Sequence, residues 1–170
     1  GTTFGVSAFQ INFASHDVST AGDELDVLVA MNPAALKTNL DDLVRGGLLI
    51  LDTGAFGARN LKKAGYPANP IEDGSLDGYR VLEVDVHKHV LEAVAEFELG
   101  HKNALRCKNM WVLGLLMWIY GRDRQPTIEG LQTKFANRPA IRDANIAAIN
   151  AGHAYAETAE LADAFPAVEV

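Results

Sequence analysis

Cysteine is almost missing from this 170-residue chain, with Cys107 the only one. That excludes an intramolecular disulfide framework and any metal site made of cysteine alone, so an oxidising compartment is not required. Basic clusters are also lacking: no more than two Lys or Arg residues are adjacent, and 15 basic against 22 acidic side chains give a formal net charge of -7. Nucleic acid is therefore not an expected partner, because displacing counterions from phosphates takes a basic face. Long apolar runs are absent too. The longest, Met110 to Tyr120 (MWVLGLLMWIY), has 11 residues including Gly114, well short of the ~20 that cross a bilayer. A buried helix is expected there, and no membrane association. The amino end, GTTFGVSAFQINF, has no basic region followed by a continuous apolar one, so it does not read as a targeting segment. It also lacks a starting Met, which suggests that the front of a larger chain is missing. A cytoplasmic location is expected.

What is present is ordinary: 48% hydrophobic and 22% charged residues, near the values for soluble globular chains. A chain of this length buries about 70% of its unfolded surface, enough for one domain with a core. Phe9, Ile11 and Phe13 alternate with polar or small residues, the period of a strand with one buried face. His16 to Glu24 is rich in turn formers and reads as loop. Val27 to Met31 is continuously apolar, as expected of a parallel strand covered on both faces. Asn32 can cap a helix and Pro33 suits its first turn. Leu36, Leu40, Leu43 and Val44 form one apolar stripe, Gly46-Gly47 should end that helix, and Leu48 to Asp52 should be the next strand. Residues 26 to 52 thus read as a β-α-β unit.

Beyond it, a short helix near 57 to 64, loop from Tyr66 to Gly78 and an edge strand over Arg80 to Val86 are expected. Helices follow at about 88 to 99, 102 to 120, 127 to 136 and 139 to 160. Gly130 costs the third of these ~1 kcal/mol relative to Ala. In the last, Ile141, Ala144, Ala148, Ala151 and Tyr155 share a face with Gly152 beside it, where small residues let another backbone come close. That face, like the 110 to 120 run, is suited either to a partner domain or to the domain's own core.

Few residues point to chemistry. His87 and His89 flank Lys88, but side chains two apart point together only in a strand, and this pair falls where strand passes to helix. They read as surface polar residues, and no metal ligands are assigned. His16, His101 and His153 are isolated in sequence. The serines lack a G-x-S-x-G elbow, and Cys107 inside a helix reads as a small core residue despite its neighbours Arg106 and Lys108. No catalytic residue is assigned. The phosphate-loop and complete G-x-G-x-x-G motifs are absent. What remains is geometry: ligands collect at the carboxyl ends of parallel strands, where Asn32 follows one strand and Asp52-Thr53-Gly54 ends the next. Every parallel α/β fold has such corners, and capping and turn formation are the commoner reason for these residues.

Several segments together carry a resemblance. They are SAFQINF at 7 to 13, DVLVAMNPAAL at 26 to 36, LLILDTGAF at 48 to 56, KNMWVLGLL at 108 to 116 and NIAAINAG at 145 to 152. In order and spacing they resemble the gamma domain of 2-oxoacid:ferredoxin oxidoreductases, the pyruvate and 2-oxoglutarate enzymes. The wording is most similar to the gamma segment fused to the alpha subunit of two-subunit 2-oxoglutarate enzymes. The resemblance implies a Rossmann-like, three-layer α/β domain with a mostly parallel sheet and a helical carboxyl half. Residues 1 to 163 would be a single gamma domain lacking its usual first strand and Gly-rich turn, and 164 to 170 the start of a linker. The activity implied is oxidative decarboxylation of 2-oxoglutarate or pyruvate to an acyl-CoA with reduction of ferredoxin, this chain alone being noncatalytic. Thiamine diphosphate, Mg²⁺ and iron-sulfur clusters would lie on the partner alpha and beta domains or subunits. This domain would help cover the active site and receive coenzyme A, with Asn32, Thr53, Gly54 and, less centrally, Asn109 as candidate contacts. A freestanding nucleotide- or coenzyme-binding module without a redox role is the alternative.

Overall fold

The apolar run after Asp26 is a strand, and its neighbours in space are two further strands. In the computed structural model, which describes residues 8–11, 24–159 and 161, the chain divides into two units between Asp85 and Val86. The first unit holds β1 (Leu25–Ala30), α1 (Pro33–Asn39), β2 (Leu43–Asp52), α2 (Ala58–Ala64) and β3 (Arg80–Val84). The strands form a parallel sheet in the order β1-β2-β3. Because consecutive strands advance in one direction across the sheet, right-handed crossovers put α1 and α2 on the same face. One cluster accordingly joins Leu36 of α1 and Leu61 of α2 to Leu28, Ala30, Leu49 and Leu51 of the strands. β2 is central and its last six residues are all buried, alternate side chains pointing to opposite faces. Each fully buried leucine there contributes roughly 1.5–3 kcal/mol.

Asn32 and Pro33 behave as read: the Asn32 Oδ1 accepts from Ala35 N at 2.9 Å and Pro33 opens α1. The expected stripe does not. α1 stops at Asn39, a tight turn covers Leu40–Asp42, and Leu43 and Val44 are already strand. Leu43 is buried, but through β2, paired with Leu25. Gly46 and Gly47 lie inside β2, where they end no helix. β2 advances five positions, from Leu43 to Leu48, where β1 advances two, from Leu25 to Val27. This is a bulge, and it needs glycine twice. Gly46 has φ 79°, and a Cβ on Gly47 would meet Leu43 Cδ1 and the Val44 carbonyl at 2.8 Å. Positive φ serves a helix end and a bulge alike, which is why the sequence signal misled. The bulge is tied to β3 by Gly46 N donating to Gly78 O at 2.8 Å and Arg80 Nε donating to Gly46 O at 3.0 Å.

The loop between Tyr66 and Gly78 is held by Asn69 and Asp73, whose side chains accept from Ile71 N and Ser75 N. It buries Leu76 in the same cluster. Residues 8–11 belong to no helix or strand, and Phe9 and Ile11 are exposed, so the expected strand is not formed there. Alternation gives a face to bury but no neighbour to pair with. Phe13, the His16 to Asp23 part of the expected loop and the 164 to 170 linker lie outside the described residues.

The second unit is helical: α3 (Val86–Ala93), α4 (His101–Ala104), α5 (Lys108–Ile119), α6 (Gln125–Lys134) and α7 (Pro139–Thr158). The expected 88 to 99 helix begins at Val86 and ends at Ala93; tight turns and the positive φ of Glu98 and Gly100 finish the segment. The expected 102 to 120 helix is broken by a 3-10 turn at Leu105–Cys107, a change of hydrogen-bond span that apolar spacing does not reveal. The small-residue face of α7 is taken by the unit's own core. Ala144, Ala148, Ile149 and Gly152 are buried, as are Trp111, Val112 and Leu115 of α5. The two helices approach so closely that a Cβ on Gly114 would strike the Ile149 carbonyl and one on Gly152 the Trp111 carbonyl. The α/β class, the parallel sheet and the helical carboxyl half are thus as expected.

The two kinds of helical glycine should respond in opposite ways. Gly152→Ala gains helix propensity but forces backbone apart, and should lose about 1–3 kcal/mol. Gly130→Ala meets nothing within 4 Å and should gain up to about 1 kcal/mol. Urea unfolding midpoints of the two variants check both signs.

Candidate functional site

The carboxyl edge of the sheet is where β1 and β2 deliver their first non-strand residues. The last matched pair across these strands is Ala30 with Leu51. Asn32 and Thr53 each come two residues later, at the ends of adjacent parallel strands. Asn32 has extended backbone and spends its Oδ1 on the α1 cap. Its Nδ2 makes no hydrogen bond among the described residues. Thr53 opens the tight turn Thr53–Ala55, its carbonyl accepting from Phe56 N at 3.0 Å. Its hydroxyl is likewise uncommitted among the described residues. Gly54 follows, exposed, and Asn60 Nδ2 donates to Ala55 O at 2.8 Å, fixing the turn to α2. Asn32, Thr53 and Gly54 are therefore brought to one edge, and two of them carry polar groups without a hydrogen-bond partner among the described residues.

Asn109 belongs to the second unit, exposed in the first turn of α5. Residue spacing did not bring forward Asp85 as a neighbour of Asp52. Asp52 is 1% exposed at the end of β2, level with Val84 of β3, and Asp85 follows Val84. Their carboxylates lie within 4.8 Å of each other. The acidic character of both residues is plain in the sequence, but their closeness depends on β2-β3 register.

His87 and His89 differ from the surface reading, both being partly buried. His87 and His89 both fall on α3, where residues two apart do not face each other. His89 is half-buried and stacks on Trp111 at 5.6 Å between ring centroids, with Tyr155 tilted 4.8 Å away. His101 is exposed, and His153 is half-buried on α7. Burial and then the charge of Arg124 push the His153 imidazole below its usual pKa, against the opposing charge of Glu157. Arg124 is itself held by Asn150 Oδ1 at 2.8 Å. Cys107 is 2% exposed, and burial pushes its thiol up despite the flanking Arg106 and Lys108. A raised thiol is a poor nucleophile, and a single one cannot provide the four thiolates of an iron-sulfur cluster.

Among the described residues no helix is long and apolar enough to cross a membrane. A model of the family described as pyruvate ferredoxin/flavodoxin oxidoreductase matches residues 3–155. The chain is 48% identical over 160 residues to the 2-oxoglutarate oxidoreductase subunit KorA of Mycobacterium tuberculosis (strain ATCC 25618 / H37Rv). That alignment covers 94% of this chain and 24% of the relative, so the chain corresponds to a minor part of that protein. No solved structure matches.

Two outcomes follow from this geometry. Asn32→Ala should cost about 0.5–2 kcal/mol through the lost cap, whereas Asn32→Ser, which still caps, should stay close to wild type in thermal unfolding. For His153, a depressed folded pKa means that the unfolded chain binds the proton more readily. The stability it contributes is complete above pH ~6.5 and is lost as pH falls through the folded pKa. His153→Gln should therefore narrow the difference between urea midpoints measured at pH 7.5 and at pH 5.5.

Proposed function

Because this chain belongs to the pyruvate ferredoxin/flavodoxin oxidoreductase family, we propose that it is the gamma domain of a 2-oxoacid:ferredoxin oxidoreductase. The match over residues 3–155 carries this reading. Its similarity to a protein named as a 2-oxoglutarate oxidoreductase subunit favours 2-oxoglutarate as the acid. Residues 1 to 163 act as one gamma domain in this reading, and both units described above belong to it. The assembly oxidatively decarboxylates the acid to its acyl-CoA, passes the electrons to ferredoxin and works in the cytoplasm.

This chain's share of that chemistry is binding and enclosure. Thiamine diphosphate with Mg²⁺ supplies carbanion stabilisation, and iron-sulfur clusters carry single electrons. Both are assigned to alpha and beta partner domains or subunits, and for the clusters the lone buried Cys107 agrees, because it does not fit cluster ligation. The residues offered to coenzyme A are Asn32, Thr53 and Gly54 at the strand-end edge, with Asn109 as a further candidate on α5. Uncommitted polar groups at Asn32 and Thr53 support the assignment, because such groups gain a partner when a polar ligand arrives.

The test is anaerobic isolation of the intact protein from its source, followed by assay of coenzyme A-dependent ferredoxin reduction with 2-oxoglutarate. Co-purification of thiamine- and iron-sulfur-containing partners with this activity is expected; their absence would overturn the reading. In the intact enzyme, Thr53→Val should raise the KM for coenzyme A about three- to ten-fold, the equivalent of one neutral hydrogen bond. The rate at saturating coenzyme A should change less than about two-fold, since uniform binding alone is removed.

A further inference from the structure

We propose that α6 is held on α7 by a polar latch, Arg124 on Asn150, which opens when His153 takes up a proton, so that this helix loosens from its unit as the medium turns acidic. The device lies wholly in the second unit and is independent of the coenzyme A reading.

A latch matters here because α6 has little else. Of its 10 residues Leu131 alone is buried, whereas α5 and α7 each bury several side chains in their shared core. Arg124 stands just before α6 and makes no cap with its side chain. Its guanidinium crosses to α7 instead, Nη1 donating to Asn150 Oδ1 at 2.8 Å. A charged donor makes this a stronger tie than a neutral hydrogen bond.

His153 is placed to work against it. It follows Asn150 by three residues on α7, and side chains at that spacing are neighbours on one helix face. Arg124 on Asn150 is therefore close to the imidazole as well, and after burial it is the Arg124 charge that holds His153 below its ordinary pKa. Repulsion is mutual: a proton on His153 disfavours Arg124 at Asn150 as much as Arg124 disfavours the proton. The other charged groups around α7 leave this pair dominant. Glu157, one turn further along, is exposed and opposes Arg124 to a lesser degree. α5 carries no charged side chain from Asn109 to Ile119 and brings Gly114 against the His153 backbone. On α6, Glu129 accepts from Gln125 Nε2 at 3.1 Å and Lys134 lies over the Phe135 ring. Asp123 spends an oxygen on Gln125 N at 2.9 Å. α3 meets α7 at Tyr155, where His89 and Glu92 stand together, and Glu96 and Arg106 in the tight turns beyond are exposed.

Hydrogen exchange read by mass spectrometry on the intact protein tests this, with rates corrected for the intrinsic pH dependence of exchange. Between pH 7.5 and pH 5.0 the protection of α6 amides should fall about three- to ten-fold, the equivalent of one hydrogen bond, while α5 and α7 keep theirs. In His153→Gln the fall should vanish. In Arg124→Gln, which lacks both the latch and the repelling charge, α6 should be loose at either pH. Glu157→Gln should move the loosening to lower pH, because a charge that favours the proton has gone. A fall that persists in His153→Gln, or one shared equally by α5 and α7, overturns the proposal.

Discussion

The pairing of β1 with β2 is the constraint on which the first unit depends. Side chains alternate between faces along a strand, so a shift of one residue would exchange the buried and outward sets. The bulge at Val44–Gly47 absorbs the extra length of β2 before the regular pairing of Val27 with Leu48 begins. It thereby aligns Leu28 with Leu49 and Ala30 with Leu51, the pairs that meet Leu36 of α1 in one apolar cluster. The same alignment carries forward to the strand ends, so that Asn32 and Thr53 follow the last pair by two residues each, on adjacent strands. Core and candidate site are thus two results of one register.

The second unit depends on a different constraint, the absence of side chains at two points. Gly114 and Gly152 let the backbones of α5 and α7 touch, Gly114 against the Ile149 carbonyl and Gly152 against the Trp111 carbonyl. Neighbouring large residues profit: Trp111, Leu115 and Ile149 are fully buried around the contact. Close approach lengthens the line along which the helices share dispersion contacts, and dense packing of this sort gives little when volume changes. The position of His89 over Trp111, with Tyr155 against both, follows from that packing.

What could be read in advance divides along the same lines. The Asn32 cap and Pro33 are legible because each answers a need of the adjacent backbone, within three residues of itself. The strand at Leu48 to Asp52 is legible because a run buried on both faces has few other readings. Leu43 reads as part of a helix stripe although it lies in β2, because its apolar character fits a helix stripe and a strand equally. The sign that separates them, Gly46 donating to Gly78, spans 32 residues. Phe9 and Ile11 show the converse error, a correct local period without a partner to complete it among the described residues. At the candidate site the residue types were legible and their company was not. Nothing near Asp85 in sequence announces Asp52, and only the β2-β3 pairing makes them neighbours.

The choice of asparagine at position 32 separates the needs of the fold from those of a ligand. A helix start requires only a short side-chain oxygen, and Ser, Thr or Asp would satisfy Ala35 N about as well. None of them matches what Asn32 adds. Serine and threonine cap and donate through one and the same oxygen, and aspartate would bring a further carboxylate to an edge that already holds Asp52 and Asp85. Asparagine alone among the good caps carries its neutral donor on an atom separate from the one that caps, because only Oδ1 is used. Thr53 repeats the pattern: its backbone carbonyl closes the turn while the hydroxyl remains uncommitted among the described residues. Where main-chain geometry is satisfied by one atom of a residue and a second polar atom is left at a strand end, folding explains only the first.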